Sequence, residues 1–393
     1  MNTPKTKAAP KIAILAGEAS GDQLGADLAK NLSETYPNSV IYGIGADKMT
    51  AAGVNCWWHS DQLTVFGLVE VLRHVPRLLK LRRRLLKTLL SWQPDIVISI
   101  DAPDFYLPLA KQLKRQGIKV IHYVCPSVWA WRQGRVHMLR KSVDHVLCLL
   151  PFEQAFLTEH QVSATFVGHS LIVNASLDLN QQYIERRHQY KLGVSETIVA
   201  VLPGSRDGEI KRHTDIFFQA CRMLKGYIDQ PLKLVTSTSK PEHQVILKQA
   251  HQKHCPMLEL KIVEDATTAL RVADVALLAS GTVTLEAILN ACPMVVAYVL
   301  NSITWQIIQK FNLYKAAHVA LPNLLANGLA SQRLVPEILQ NDANPENLAK
   351  TLYNVLQQDQ QVYQRHCELL IDKLSTEYTP AVEVVNHMLL EKC

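Results

Sequence analysis

Short apolar runs rich in β-branched residues alternate with helix-patterned segments along nearly the whole chain. This alternation narrows the fold more than any other feature. The runs fall at Lys11–Ala16, Val40–Gly43, Asp95–Ile100, Lys119–Val124, His145–Leu149 and Thr165–Val167, with helical patterns such as Gly25–Thr35 and Leu107–Gln116 between them. Strands that are apolar throughout, rather than at every second residue, are covered on both faces. Alternating with helices, they build a parallel sheet. The pattern lapses into a polar stretch between about Asn174 and Gly193. It restarts at Thr197–Leu202, Leu232–Thr236, Leu258–Val263, Val275–Ala279 and Met294–Tyr298. The chain therefore reads as α/β, with two doubly wound parallel-sheet domains in tandem over residues 8–175 and 193–345, and C-terminal helices over 346–393.

Composition removes several classes. With 393 residues, 48% hydrophobic and 19% charged, the chain is long enough for two buried cores and is neither disordered nor fibrous. A mean hydropathy of +0.01 is far too low for a polytopic membrane protein. The eight cysteines form no C-x-x-C pair and several sit inside apolar runs, which points to reduced structural thiols rather than zinc. Lysines followed by apolar residues near the N-terminus imitate a secretory signal. The apolar run is only Ile12 to Gly17 and ends at Glu18, so a tail and a first strand are expected. No charge stands between Glu286 and Lys310, a length that would span a bilayer. Asn290, Pro293, Asn301 and Gln306 within it favour a helix end, a buried strand and another helix.

In open α/β sheets, ligands bind beyond the carboxyl ends of the strands, so the residues after each run carry the functional reading. The first such turn, Gly17-Glu18-Ala19-Ser20-Gly21-Asp22, is not G-x-G-x-x-G. It is either an ordinary βα turn or one whose N–H groups, with Glu18 and Ser20, meet an anionic or hydroxyl-rich ligand. No acidic residue closes the second strand to hold a ribose, which disfavours a dinucleotide. Asp101, in Ile100-Asp101-Ala102-Pro103-Asp104, ends a buried strand, where partial loss of water makes a carboxylate a usable general base. Asp104 is placed to cap the following helix. The segment Cys125–Arg132 brings Trp129, Trp131 and Arg132 past a strand, as sugar or phosphate contacts or as core tryptophans.

Two elements of the second domain point to a diphosphate. Pro203-Gly204-Ser205-Arg206 follows a strand with a turn that offers backbone N–H groups and a guanidinium, without a Walker A pattern. Ser280-Gly281-Thr282 precedes a helix on which Glu286 is spaced to accept the hydroxyls of a ribose. Two such elements in order on one sheet indicate a nucleotide-diphosphate site. Asn323 lies in an apolar loop, where turn-forming is the commoner role of Asn.

Arg73–Lys87 holds seven Lys/Arg and no acid. Against a whole-chain net charge of +6 this leaves the remainder at −1. Arg73, Arg77, Lys80, Arg84 and Lys87 share one helical face, and Leu78, Leu81, Leu85 and Leu89 form the neighbouring stripe, with Arg82 on the leucine side. The preceding loop, with Val65, Phe66 and Leu68, is unusually apolar. Together they read as a surface for an anionic membrane, or as a helix packed through its leucines with solvated arginines, and the two are compatible. No nucleic-acid module accompanies the patch, so nucleic acid is not expected as a partner.

Taken together, AGEASGD, FGLVEVL, IDAPDF, HYVCPSVWAWR, LPFE, VGH, LPGSR, LASGTVTLEA, PMVVAY, LPNLLA and LVPEILQ resemble the bacterial lipid-A-disaccharide synthase family, in order from about Lys11 to Gln340. The resemblance implies a GT-B glycosyltransferase, with two Rossmann-like domains facing a central cleft and the terminal helices packing back across them. It implies an inverting reaction that joins UDP-2,3-diacylglucosamine to 2,3-diacylglucosamine 1-phosphate through a β-1′,6 linkage and releases UDP. Asp101 would be the base. Glu18, Ser20, Arg132 and Asn323 would contact substrate. Gly204, Ser205, Arg206, Ser280, Gly281, Thr282 and Glu286 would hold UDP. The implied setting is the cytoplasmic face of the inner membrane, with oligomeric state open between monomer and homodimer. No D-x-D pair stands at the nucleotide elements, so no metal is expected there, and the resemblance implies no cofactor. Three residues depart from the family pattern: Cys125 in place of Ser, Tyr106 in place of Asn, and Val299 in place of a basic residue. The same motifs leave a UDP-sugar epimerase, or a non-catalytic membrane-associated UDP-sugar binder, as alternatives.

Overall fold

The computed structural model describes residues 9–391 except 64–67, 132, 170–171, 173–184, 186, 239, 312 and 327–332. It divides into two compact units, one of Met1–Ser170 with Glu377–Cys393 and one of Leu171–Thr376.

The first unit runs β1 (Lys11–Ala16), α1 (Ala19–Thr35), β2 (Val40–Gly45), α2 (Asp47–Ala51), β3 (Asn55–His59), α3 (Leu68–Trp92), β4 (Ile96–Ile100), α4 (Pro103–Arg115), β5 (Lys119–Tyr123), α5 (Val136–Ser142), β6 (His145–Cys148), α6 (Pro151–Glu159) and β7 (Ala164–Phe166). Its seven strands lie parallel in the order β3-β2-β1-β4-β5-β6-β7. One sheet face is covered by Leu85 and Leu89 of α3 and by Tyr106, Leu109 and Leu113 of α4. Each buried leucine contributes roughly 2 kcal/mol of apolar burial. Strand β3 escapes a search for continuous apolar runs because it is the edge strand NCWWH. Its Trp57 stacks on Tyr42 at 5.4 Å and meets Trp92 edge-on at 5.4 Å.

The second unit runs β8 (Thr197–Leu202), α7 (Asp207–Leu224), β9 (Leu232–Ser237), α8 (Pro241–His254), β10 (Glu259–Val263), α9 (Ala266–Val272), β11 (Val275–Ala279), α10 (Val283–Leu289), β12 (Met294–Tyr298), α11 (Ser302–Lys310), α12 (Leu321–Leu325), β13 (Glu337–Leu339), α13 (Pro345–Leu356) and α14 (Gln360–Thr376). Its six strands are parallel in the order β10-β9-β8-β11-β12-β13. Phe217 and Leu224 of α7 and Leu348 and Leu352 of α13 close one face. Within the polar stretch after the first unit, Arg187 is 1% exposed yet fully paired. It meets Asp274 at 2.7 Å and donates to the carbonyls of Val272, Gly193 and Glu196. A buried guanidinium with these partners fixes the chain where the second sheet begins.

The helical tail divides between the units. The last helix, α15 (Ala381–Leu390), buries Val385 and Leu389 against the first sheet, on the face also covered by α1. Lys119 donates to the Met388 carbonyl at 2.7 Å, and the Thr379 N–H donates to the Phe166 carbonyl at 3.0 Å. No helix among the described residues is long and apolar enough to cross a membrane.

Candidate functional site

In both sheets the order reverses beside the first strand of the unit, between β1 and β4 and between β8 and β11. Those switch points open a crevice at the strands' carboxyl ends.

In the second unit that crevice is a cavity of about 390 Å³. Gly204, Ser205 and Arg206 line it from the turn after β8, and Ser280, Gly281, Thr282 and Glu286 from the turn after β11 and from α10. Thr238, Glu264 and Asp265 complete the wall beyond β9 and β10. All seven nucleotide candidates are thus neighbours.

The turn after β8 differs from the sequence expectation in one respect. The Ser205 and Arg206 N–H groups point inward and donate to Oε2 of Glu209, at 3.2 and 3.3 Å, so they are not presented to a diphosphate. Glu209 is 7% exposed, and its other oxygen accepts from the Tyr298 hydroxyl at 3.3 Å. Gly204 has φ +125, and a Cβ there would lie 2.6 Å from the Glu209 Cβ, so only glycine lets the turn close over the carboxylate. The Arg206 side chain remains 77% exposed and supplies the turn's cation. Beneath, His213 donates from Nδ1 to the Pro203 carbonyl and accepts the Val299 N–H on Nε2, both at 2.9 Å. Val299, one of the departures from the family pattern, is therefore held by its backbone, and its carbonyl accepts from Arg212 at 2.9 Å.

The Ser280 hydroxyl donates to the Val319 carbonyl at 2.8 Å, and the Thr284 hydroxyl to the Gly281 carbonyl at 2.8 Å. Glu286 accepts from the Thr267 hydroxyl at 2.9 Å. Burial pushes its carboxyl above the ordinary range, against the Thr267 hydrogen bond and helped by nearby Asp265. Asn323 lies apart from this cavity wall, 4% exposed on α12. Its amide nitrogen donates to the Val335 carbonyl at 2.8 Å and to Glu337 at 2.7 Å, and its oxygen accepts the Val335 N–H at 2.9 Å. Glu337 also accepts the N–H groups of Val319 and Ala320, both at 3.1 Å. Asn323 therefore ties α12 to the approach and first residue of β13, a long-range packing role in place of the turn-forming one weighed above.

In the first unit, Asp101 and Ala102 follow β4 with φ +55 and +43, two consecutive non-glycine residues in the left-handed region. Such residues cost about 1–2 kcal/mol each. The turn after β1 lies directly against them, since a Cβ on Gly17 would fall 2.5 Å from that of Ala102. Tyr106, fully buried, donates its hydroxyl to the Ala16 carbonyl at 2.9 Å and ties the two turns together. This accounts for Tyr106, a second departure: it braces the backbone and faces no solvent. Asp101 is half-buried, and Glu18 and Ser20 are exposed on the adjoining turn. Asp104 does not cap α4; the capping position is Ala102, and Asp104 pairs with Arg135 at 3.0 Å. Asp22 accepts the N–H groups of Ala46, Lys48 and Met49, so the donors at the start of α2 are satisfied internally.

The tryptophan segment resolves in part. Trp129 donates its indole N–H to Glu153 at 3.2 Å and meets Phe152 edge-on at 4.8 Å, as a packed residue. Arg132 lies outside the described residues. Glu153 was not singled out by spacing, because a buried carboxylate leaves no periodic signature. It also accepts the Leu150 N–H at 3.2 Å and caps α6. One oxygen of Glu153 and the sulfurs of Cys125 and Cys148 lie within 4.8 Å of one another, a group that could hold a metal. Burial pushes Glu153 up to about 8, and its hydrogen bonds lower it only in part, so the acid is protonated at neutral pH. The Cys125 thiol is pushed up by its hydrogen bond with Cys148 and by burial. Between the unfolded carboxylate pKa and about 8 the native state binds more protons than the unfolded one. The contribution of Glu153 to stability is therefore expected to fall as pH rises through that window, by at most roughly 1.4 kcal/mol per unit, against the buried histidines whose lowered pKa values act in the opposite direction. Urea unfolding of the wild type and of Glu153→Gln at pH 5 and at pH 8 isolates this contribution: the stability difference between the two proteins should shift in favour of the variant as the pH rises.

On α3, Leu81, Leu85 and Leu89 are buried and Leu78 is half-buried, while Arg77, Lys80, Arg84 and Lys87 are exposed. Arg82 is half-buried, and burial followed by neighbouring Arg83 lowers its pKa. Val65 and Phe66 lie outside the described residues, and Leu68 and Arg73 are placed only as helix backbone.

A family model described as "Lipid-A-disaccharide synthetase" matches residues 12–383. The chain belongs to the lipid-A-disaccharide synthase family. A lipid-A-disaccharide synthase of Xanthomonas campestris pv. campestris (strain 8004) is 44% identical over 345 residues, covering 88% of this chain and 77% of that one. One of Idiomarina loihiensis is 41% identical over 351 residues, covering 89% and 90%. Membership makes the chain a glycosyltransferase of lipid A disaccharide synthesis, in lipopolysaccharide biosynthesis. The fold is GT-B. The calicheamicin glycosyltransferase CalG4 superposes with TM-score 0.60 at 14% identity, covering 98% of this chain and all of that one. A UDP-N-acetylglucosamine 2-epimerase (putative) of Listeria monocytogenes gives TM-score 0.59 at 14% identity, with 98% of each chain covered. At such identities the epimerase likeness concerns the fold alone, and the family match sets the epimerase and binder alternatives aside.

Proposed function

We propose that the chain joins UDP-2,3-diacylglucosamine to 2,3-diacylglucosamine 1-phosphate in a single inverting displacement. Asp101 takes the proton of the acceptor 6-hydroxyl. That oxygen bonds to the donor's anomeric carbon as the bond from carbon to UDP breaks, and UDP leaves with the bonding pair. Arg206 meets the charge that builds on the leaving diphosphate, where a preorganised cation is worth most. Ser280, Gly281 and Thr282 flank the phosphates, Glu286 takes the ribose, and Gly204 and Ser205 shape the turn. Glu18, Ser20 and Arg132 orient the acceptor, while Asn323 acts only by tying α12 to β13.

One observation carries the assignment of the base: Asp101 is held in left-handed strain at a sheet's switch point, against the turn that bears Glu18 and Ser20. Strain of that kind persists only where the surroundings enforce it, and it clusters at functional sites. The basic face of α3, with Val65, Phe66, Leu68, Arg73, Arg77, Lys80 and Arg84, is proposed to hold the enzyme to the anionic cytoplasmic face of the inner membrane, where its lipid substrates reside. With both substrates dispersed in detergent, the product is expected to carry a β-1′,6 linkage, read from its anomeric carbon by NMR. An α linkage would exclude the single displacement.

A further inference from the structure

Helix α11 of the second unit has an outer face that water alone does not explain. From Ala287 to Pro336 the chain contains no Asp or Glu, while Lys310, Lys315 and Arg333 supply positive charge. Ile308, 6% exposed, faces the protein interior. On the other side Ile307 and Phe311 are 46% and 63% exposed, one helical turn apart, with the Phe311 N–H donating to the Ile307 carbonyl at 3.1 Å. The Lys310 ammonium sits 5.9 Å from the centre of the Phe311 ring. Thr304, Gln306 and Gln309 are exposed beside them and carry no charge. A solvent-facing helix normally shows charged residues on its outer side.

We propose that α11 is a second lipid-contacting element: the Ile307–Phe311 edge enters the headgroup–acyl boundary of an anionic bilayer, and Lys310 and Lys315 meet its phosphates. The inference rests on the reading of this enzyme as one that works on lipid substrates at a membrane. It adds a contact on the unit that does not carry α3. Charge selects the occupant. An isologous contact between two copies would set this acid-free segment against itself, cation facing cation, whereas an anionic surface complements it. Exposed apolar residues flanked by lysines are the composition that interfacial helices use.

The test is sedimentation of the full chain with vesicles of phosphatidylcholine, and of phosphatidylcholine with phosphatidylglycerol, in the absence of substrate. Ile307→Ser with Phe311→Ser is expected to weaken partitioning onto the anionic vesicles by about tenfold or more. Lys310→Ala with Lys315→Ala should weaken it by roughly 25-fold, at about fivefold per cation, and remove part of its salt dependence. Turnover on detergent-dispersed substrates should stay at the wild-type level for both pairs. Unchanged partitioning of the Ser pair would overturn the proposal. A raised KM for dispersed substrate at unchanged partitioning would also overturn it, pointing to a substrate acyl chain as the occupant. Loss of a dimer at unchanged partitioning would overturn it in favour of a second copy. Because partitioning is read without substrate, its outcome is separate from that of the transferase reading.

Discussion

Asp101→Asn is expected to lower turnover by roughly 10²–10⁴-fold while leaving the fold and the affinity for UDP unchanged. The substitution suits the position. Asp101 sits at φ +55, a region that Asn occupies more readily than most residues, so the backbone is not newly strained. The Asp101 backbone N–H, which donates to the Tyr123 carbonyl at 3.0 Å, is untouched. Only the ability to take a proton is lost. Steady-state turnover, with UDP binding by calorimetry on the same preparation, separates this effect from misfolding. Wild-type turnover in a folded Asp101→Asn protein would remove Asp101 from the chemistry.

Arg206→Ala is the second large effect. The guanidinium is exposed and pairs with Glu209 at 3.5 Å, so its removal should cost little stability. If it faces the leaving diphosphate, its loss lowers kcat by roughly 10²–10³-fold. Lysine at the position should recover only part of the activity, because a single ammonium cannot reproduce the planar fork. A loss confined to KM, with kcat intact, would mean that Arg206 binds donor and transition state alike.

The distance between sequence and structure is uneven, for physical reasons. Val275–Ala279 is apolar at every position and Lys11–Ala16 at every position after Lys11, so such buried parallel strands and the crevices at their ends are legible from composition alone. The edge strands Asn55–His59 and Glu337–Leu339 carry no such run, and the structure was needed to find them. That Asp101 and Glu18 stand at one switch point follows from strand order, which alternation of strands and helices does not specify. The direction of individual N–H groups is less legible still. The turn at Pro203–Arg206 has the sequence of a diphosphate cradle, yet Glu209 already occupies two of its donors. Glu153, Glu209 and Glu337 are buried carboxylates that organise loops through backbone N–H groups, and nothing in their spacing distinguishes them from surface acids. The helical tail was legible as helix, but its division between the two units depends on which apolar face each helix buries.

The basic charge sharpens in the same way. It is concentrated on α3, whose leucines are buried while Arg77, Lys80 and Arg84 remain exposed, so core packing and a free cationic face coexist on one helix.

The most direct measurement is UDP release in detergent from UDP-2,3-diacylglucosamine, with and without 2,3-diacylglucosamine 1-phosphate. The account predicts release only when the acceptor is present, one UDP for each disaccharide formed. Release independent of acceptor, or none with both substrates present, would contradict it.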